Sequence, residues 1–344
     1  MIVDCAHYMD GHRAEAGKVP LEEVSDRRAE GGFVWLGLFE PGEEELARVR
    51  DTFGLHELAV EDALTLHRHP KIVSYDENVE LVVMRTARYD DASEQVDFGE
   101  ISVFVAPTFV ITVRQGVGTD LTGVRQRLED RPKLMATGTP SVLWAVLDAV
   151  VDGYAPVVLE VERDVDEIEA TVFSGSVAPT ERIYSLRGEA TGFYRAVHPL
   201  LAVISAVERT APKKLQPYLR DVHDHLLRVD EGIADQRELL RQVLEANMAV
   251  ISVEQTRVGV QQNRTIQQLT ILATIFLPLT FITGFFGQNF GWLVDHIESM
   301  PAFLVYGIGG LAIPLVLLIT WMRVRMPHAD TRAVTGQTAR ASRK

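Results

Sequence analysis

The chain has 344 residues, 47% of them apolar, a formal net charge of −14 and one cysteine. That length accommodates two or three domains with a sizeable core. The acidity argues against a nucleic-acid partner and for cations, and the lone Cys5 rules out an internal disulfide, which suits a reducing compartment. The charge is uneven: residues 323–344 hold six Lys/Arg against one Asp, or +5, which leaves −19 for the rest. The opening MIVDCAHYMDGHRAEAG has no apolar core of signal-peptide type, so the N-terminus is expected to stay in the cytosol.

Residues 1 to about 137 alternate strand-like and helix-like stretches. GFVWLGL (32–38), VELVVMR (79–85), EISVFVA (100–106) and FVITVRQ (109–115) are rich in Val, Ile and Phe and bounded by turn residues. Only Pro107-Thr108 separates the last two, which predicts a hairpin. EEELARVRDTFG (43–54) and DLTGVRQRLED (120–130) have helical spacing. An α/β domain with a mixed sheet follows. From 138 to 212 the pattern is helical. Residues 141–173 read as one helix carrying a run of acids, either a solvated face or a surface that concentrates cations. A second helix is expected over 179–207, opened by Pro179 and kinked at Pro199. TAPKKLQP (210–217) breaks the pattern.

From about 213 to 286 the only proline after Pro217 is Pro278, and a single helix on the order of 100 Å long is predicted. A helix of that length needs partners along its apolar stripe, so bundling with copies of itself is expected. VEQTRVG and VQQNRTI (253–266) read as one heptad written twice.

Two runs lack charge altogether, 30 residues over 265–294 and 24 over 299–322. About 20 helical residues cross a hydrocarbon layer of roughly 30 Å. Both runs are long enough, whereas two adjacent buried core helices of this kind are unusual in a soluble protein. Arg257 and Arg264 precede the first run, and Arg323 and Arg325 follow the second. The connector carries only Asp295, His296 and Glu298. Positive charge therefore places both ends in the cytoplasm and the connector outside. The expected order is a membrane helix at about 266–286, an external loop at 287–301, a second membrane helix at 302–322 and a basic cytoplasmic tail at 323–344.

The first span, LTILATIFLPLTFITGFFGQNFGW, closely resembles that of the CorA-type divalent-cation channels, the two-transmembrane Gly-x-Asn family. LAVEDALTLHRHPKIVSYDENVELVV (58–83) resembles the family's N-terminal domain with its His-x-x-x-Lys pattern, and YLRDVHDHLLRVDEGIADQRELL (218–240) the start of its stalk helix. The likeness thus runs along nearly the whole chain. It implies an α/β cytoplasmic domain, a long-helix bundle and two C-terminal transmembrane helices, assembled as a homopentamer in the cell membrane, with Mg2+ as transported and regulatory ion and Co2+ and Ni2+ often accepted. A ZntB branch moves Zn2+. The signature here is Gly287-Gln288-Asn289, not Gly-Met-Asn. FITGFFG leans toward the ZntB branch, while Phe290 follows the Gly-Met-Asn members.

Ile266, Leu269, Ala273, Leu277, Thr280, Gly284 and Gly287 recur at steps of three or four, one side of a helix. By spacing alone this stripe packs against a neighbour in the bilayer or lines a pore; the resemblance selects the pore. Rings of Ile266 and Leu269 could close it by excluding water. Thr280 offers a hydroxyl, Gly284 and Gly287 backbone carbonyls, and Asn289 an amide oxygen at the mouth. No carboxylate, His or Cys occurs in either span. That suits a hydrated Mg2+, which keeps its waters, better than Zn2+, which prefers His or Cys. Asp295 and Glu298 either keep the connector soluble or form an external acidic ring. The resemblance also implies a cytosolic Mg2+ sensor between neighbouring copies, with Asp90, Asp91 and Asp221 at the matching positions. DVHDH (221–225) can alternatively be read as a Zn2+ cluster, though two ligands are too few. Nothing points to an enzyme: HELAVED (56–62) lacks the second histidine of a zinc-protease helix, and there is no phosphate loop. The remaining readings are a Zn2+ or broad divalent transporter and a non-conducting membrane-anchored scaffold.

Overall fold

Strand residues of this chain alternate so that both faces are apolar, the mark of a sheet covered on two sides. The structure, a computed structural model, describes residues 1–67, 69–76, 78–117, 121–288 and 291–325. Its strands are β1 (Ile2–Met9), β2 (His12–Arg13), β3 (Phe33–Phe39), β4 (Lys71–Asp76), β5 (Val79–Asp90), β6 (Gln95–Ala106) and β7 (Phe109–Gly116), in the order β2-β1-β3-β7-β6-β5-β4. β3 and β7 run parallel with Val34 opposite Phe109; the other pairs are antiparallel. β6 and β7 meet in the expected hairpin, with Ala106 opposite Phe109.

The helices are α1 (Val24–Ala29), α2 (Glu43–Phe53), α3 (Glu57–Leu64), α4 (Leu121–Glu129), α5 (Pro132–Met135), α6 (Thr139–Asp152), α7 (Tyr154–Phe173), α8 (Thr180–Thr210), α9 (Gln216–Phe286), α10 (Gly291–Ile297), α11 (Met300–Ala302) and α12 (Gly309–Arg325). A π-helical turn, Phe303–Ile308, joins the last two. Val34, Leu36, Leu81, Val83, Phe104 and Ile111 face α1–α3. Their neighbours Phe33, Trp35, Val82, Met84, Val103 and Val110 face the layer of α4–α9.

Several elements differ from the sequence reading. β1, β2 and β4 were not anticipated: their stretches mix polar residues into the apolar run and gain their regularity from pairing with β3 and β5. The helix expected over 141–173 breaks at Gly153 into α6 and α7, and with α8 the stretch 138–212 holds three helices. The connector expected as a loop carries α10. Packing divides the chain into Met1–Ile251 and Ser252–Lys344, so residue 137 is no packing boundary: sheet and α4–α9 share one apolar core.

Within the first unit, α9 buries Leu219, Val222, Leu226, Val229, Ile233, Gln236, Leu240, Val243 and Asn247. The steps alternate three and four, the spacing of a helix seam against neighbouring helices. Its polar members are tied down. Gln236 donates to the Val158 carbonyl at 3.1 Å. Asn247 accepts from the Ala178 amide at 3.0 Å and donates to the Ala178 carbonyl at 3.1 Å, pinning the α7–α8 connection to α9. Tyr154, fully buried, donates to the Arg85 carbonyl and fixes the start of α7 to β5. Asn247→Ala leaves a buried amide and carbonyl without partners and should cost about 1–3 kcal/mol. Thermal unfolding of the full chain in detergent checks this; an unchanged midpoint would show that the connection is held by other contacts.

Candidate functional site

Length and composition alone pick out four helical stretches that could cross a membrane: Thr139–Phe173, Thr180–Thr210, Gln216–Phe285 and Met300–Trp321. Burial separates them. The most apolar parts of the first two are 61% and 44% buried in their own unit, whereas those of the last two are 0% buried. Apolar helices with nothing over them require lipid or protein contacts that a single chain in water does not supply.

The two uncovered spans face each other along one side. In the first, Ile271, Ile275, Leu279 and Ile282 are half-buried; in the second, Gly307, Leu311, Leu315 and Leu318 are. Near the connector an apolar cavity lies between Ile282, Thr283 and Gly287 on one side and Phe303, Gly307 and Leu311 on the other. At 100° per residue the covered face of α9 is centred opposite the stripe Ile266, Leu269, Ala273, Leu277, Thr280, Gly284 and Gly287, and every member of that stripe is exposed. From Ile266 to Gly284 the stripe therefore points away from α12, while Gly287 at its end borders the cavity.

Its chemistry is sparse. Leu277 is 72% exposed, and Ile266 and Leu269 are 59% and 60% exposed. Pro278 sits inside the helix without ending it, and with no N–H it cannot bond the Thr274 carbonyl one turn back. Thr280 donates its hydroxyl proton to the Phe276 carbonyl at 2.7 Å, so its oxygen turns only acceptor capacity outward. Gly287 closes the helix by donating to the Thr283 carbonyl at 2.9 Å, and Gln288 follows, exposed, with its amide 3.3 Å from the Phe285 carbonyl. Asn289 lies outside the described residues. In the connector Asp295 is exposed on α10 and Glu298 is exposed just beyond it, and Trp292 stacks on His296 at 4.3 Å.

The acids expected to sense cytosolic ions fall in two places. Asp90 and Asp91 are exposed at the β5–β6 turn. Asp90 accepts from Ser93 Oγ at 2.6 Å and from the Ala92 amide, bonds that hold its carboxyl below the usual range. The turn is braced from behind: Tyr89 donates to Asp164, and Arg182 bridges Glu94 and Glu167, each at 2.9 Å. Asp221 is exposed on α9, 3.8 Å from His225 Nε2, and His225 Nδ1 is 3.7 Å from Asp152. No contact between described residues joins Asp221 to Asp90 or Asp91 within one chain. No group of three or more His, Cys, Asp or Glu among the described residues converges closely enough to hold a metal ion, which leaves DVHDH without a complete Zn2+ set.

The model of the family described as CorA-like Mg2+ transporter protein matches residues 30–324. The chain belongs to the CorA family. The cobalt/magnesium transport protein CorA of Thermotoga maritima is 28% identical over 254 residues, which covers 72% of this chain and 70% of that one. Among solved structures, the CorA magnesium transporter of Methanocaldococcus jannaschii superimposes with a TM-score of 0.61 at 16% identity, over 91% of this chain and 94% of that one. The cytoplasmic domain of ZntB from Vibrio parahaemolyticus superimposes with a TM-score of 0.53 at 13% identity, over 72% of this chain and 97% of that one. As a CorA-family member the chain is a membrane transporter of divalent cations rather than an enzyme.

In this CorA-family chain the structure adds residues that sequence spacing did not single out. Asp148 and Asp152, one turn apart on α6, stand beside Asp221 and His225 on α9. Burial, and then the charges of Asp152 and Asp221, push the Asp148 carboxyl above its usual value against the opposing pull of His225 and Arg127. The signal was available only as two i, i+4 pairs on separate helices, and nothing in one dimension brings them together. Because the folded state favours protonated Asp148, stability contributed by this site falls as pH rises through and above the ordinary carboxylate range. Asp148→Asn should therefore raise the unfolding temperature at pH 7, with the gain shrinking toward pH 4. Added Mg2+ should raise the wild type more than the variant. Thermal scans across pH with and without Mg2+ measure both, and equal Mg2+ responses would remove Asp148 from any cation-binding group.

Proposed function

We propose that the chain is a homopentameric channel in the cell membrane that passes hydrated Mg2+, with Co2+ and Ni2+ as accepted substitutes, and that closes when cytosolic Mg2+ is high. One observation carries the reading. The stripe Ile266–Gly287 is exposed and, as far as Gly284, turned away from α12, and it holds no charged, His or Cys side chain. Five such stripes facing a common axis make a path lined by apolar side chains, one ring of threonine oxygens and glycine backbone. Mg2+ gives up its waters reluctantly. A wall that only accepts hydrogen bonds from those waters fits it, and a wall without soft ligands offers Zn2+ no dedicated site. Gly287, Gln288 and Asn289 form the selecting mouth in this reading, Asp295 and Glu298 an outer ring that concentrates cations, and Ile266 and Leu269 the closing constriction.

The termini lie in the cytoplasm, as the basic residues flanking the spans favour. In the sensor, Asp90 and Asp91 of one copy approach Asp221 of the next, with Asp148 and Asp152 close by. Carboxylates so crowded repel unless a cation sits among them, so ion loss loosens the interface and opens the path. A second reading, transport of Zn2+ or of divalent cations broadly, draws on Gln288 in place of the family's methionine and on the FITGFFG wording before it.

Purified protein in liposomes, with uptake of Mg2+, Co2+ and Zn2+ followed by ion-sensitive dyes, tests the choice. Mg2+ entry that Co2+ competes with is expected. Zn2+ flux without Mg2+ flux would establish the second reading instead, and no flux of any ion would leave a membrane-anchored scaffold. Asn289→Ala should reduce Mg2+ uptake to the level of empty liposomes while the oligomer persists on size exclusion; retained uptake would move the filter away from the mouth. Asp221→Ala should shift inhibition by Mg2+ on the cytoplasmic side to higher concentration, and an unaltered inhibition curve would take Asp221 out of the sensor.

A further inference from the structure

The unit Met1–Ile251 is strongly acidic, yet one groove on it gathers positive charge. It lies where the α4–α5 connection meets the start of α9 and encloses about 620 Å³, within the range of roughly 300–1,000 Å³ typical of small-molecule sites. Arg131, Lys133 and Lys214 line it together with Thr137 and Tyr218, against a single lining carboxylate, Asp130. Among the described residues none of these three cations pairs with an acid. Other arginines of the same unit do: Arg27 with Glu15, Arg182 with Glu94 and Glu167, Arg241 with Glu238. In a body with so many carboxylates, three neighbouring cations left without one form a local reversal of the field that attracts anions.

Two further features narrow the anion. Tyr218 is 40% exposed in the groove, and its ring is propped at 5.2 Å by Trp144, itself only 6% exposed. A supported, half-exposed ring is a stacking platform for a planar base. Arg131 also lines a smaller cavity with Asp148 and Asp152, and Asp221 follows Tyr218 by one turn of α9. An anion in the groove therefore sits next to the carboxylates that a divalent cation would neutralise. Three cations beside an aromatic platform match a chain of phosphates joined to a base.

We propose that this groove binds a nucleoside triphosphate, its phosphates on Arg131, Lys133 and Lys214 and its base against Tyr218. Because the acids lie next door, bound triphosphate and bound divalent cation alter each other's affinity, which links the site to the metal state of the cytosolic unit.

The test uses the full chain in detergent and ATP in EDTA-containing buffer, by calorimetric titration and thermal shift. ATP should bind and raise the unfolding temperature, and added salt should weaken it. The double substitution Lys133→Glu/Lys214→Glu should abolish binding; Lys133→Gln/Lys214→Gln, which should weaken it, serves if the charge-reversed protein misfolds. Tyr218→Ala should weaken ATP about tenfold while leaving inorganic tripolyphosphate unchanged. Absence of heat and of thermal shift at millimolar ATP overturns the proposal. So does tripolyphosphate binding that equals ATP binding with Tyr218→Ala silent, since the ligand is then an inorganic polyanion. A change of oligomer mass in the lysine variants with ATP binding intact also overturns it, by assigning the cations to a neighbouring copy. Binding is read here without ion flux, so failure of this proposal and failure of the transport reading are told apart.

Discussion

One constraint governs the molecule: α9 is a single helix whose seam is filled for only half its length. From Leu219 to Asn247 every third or fourth residue is buried against α6–α8. From Ser252 to Thr270 the helix surface is exposed, first with polar residues and then with the apolar run that starts at Thr265, and beyond it only the side toward α12 is half-buried. A helix cannot be stable at that length without lateral contacts. In the proposed channel the missing ones come from lipid on one face and from other copies on the other. The pore reading, the oligomer and the membrane placement all answer that one deficit, and α12 covers only the face that the exposed stripe leaves behind.

Charge is distributed in a complementary way. The body of the chain holds nearly all the acid, and the spans hold none. A carboxylate inside an apolar wall would bind a divalent cation tightly and slow its departure, whereas acids outside raise its local concentration without holding it. The crowded group Asp148, Asp152, Asp221 and His225 extends this logic: it is too open to grip a bare ion in one chain, yet charged enough that ions change its stability.

Much of this was legible in one dimension because lipid and sheet impose strong patterns. Two uncharged runs marked the uncovered apolar helical stretches, and β-branched runs located β3, β5, β6 and β7. The period of the stripe from Ile266 to Gly287 identified a face, and the structure reports which way that face points. What escaped was whatever depends on pairing. β1 and β4 gain their order from neighbours distant in sequence, the break at Gly153 looks like any helical glycine, and the short helix α10 hides within a connector of ordinary composition. The approach of α6 acids to α9 acids depends on the helical layer packing over the sheet, and local spacing carries no trace of it.

In the proposed pore, the threonines of the first span bear on the sign of the charge that can travel there. Thr265, Thr270, Thr274, Thr280 and Thr283 each donate their hydroxyl proton to a carbonyl of their own helix. Helical amides are likewise spent on the backbone, with Gly287 donating to Thr283. The exposed stripe from Ile266 to Gly287 thus offers oxygen lone pairs and no free donor. An anion such as chloride would shed solvent there and find nothing to replace it, while water held around a cation finds acceptors. Discrimination against anions in the proposed pore is in this way a property of where the hydroxyl proton of Thr280, the one threonine of the stripe, rests, and needs no charged residue in the wall.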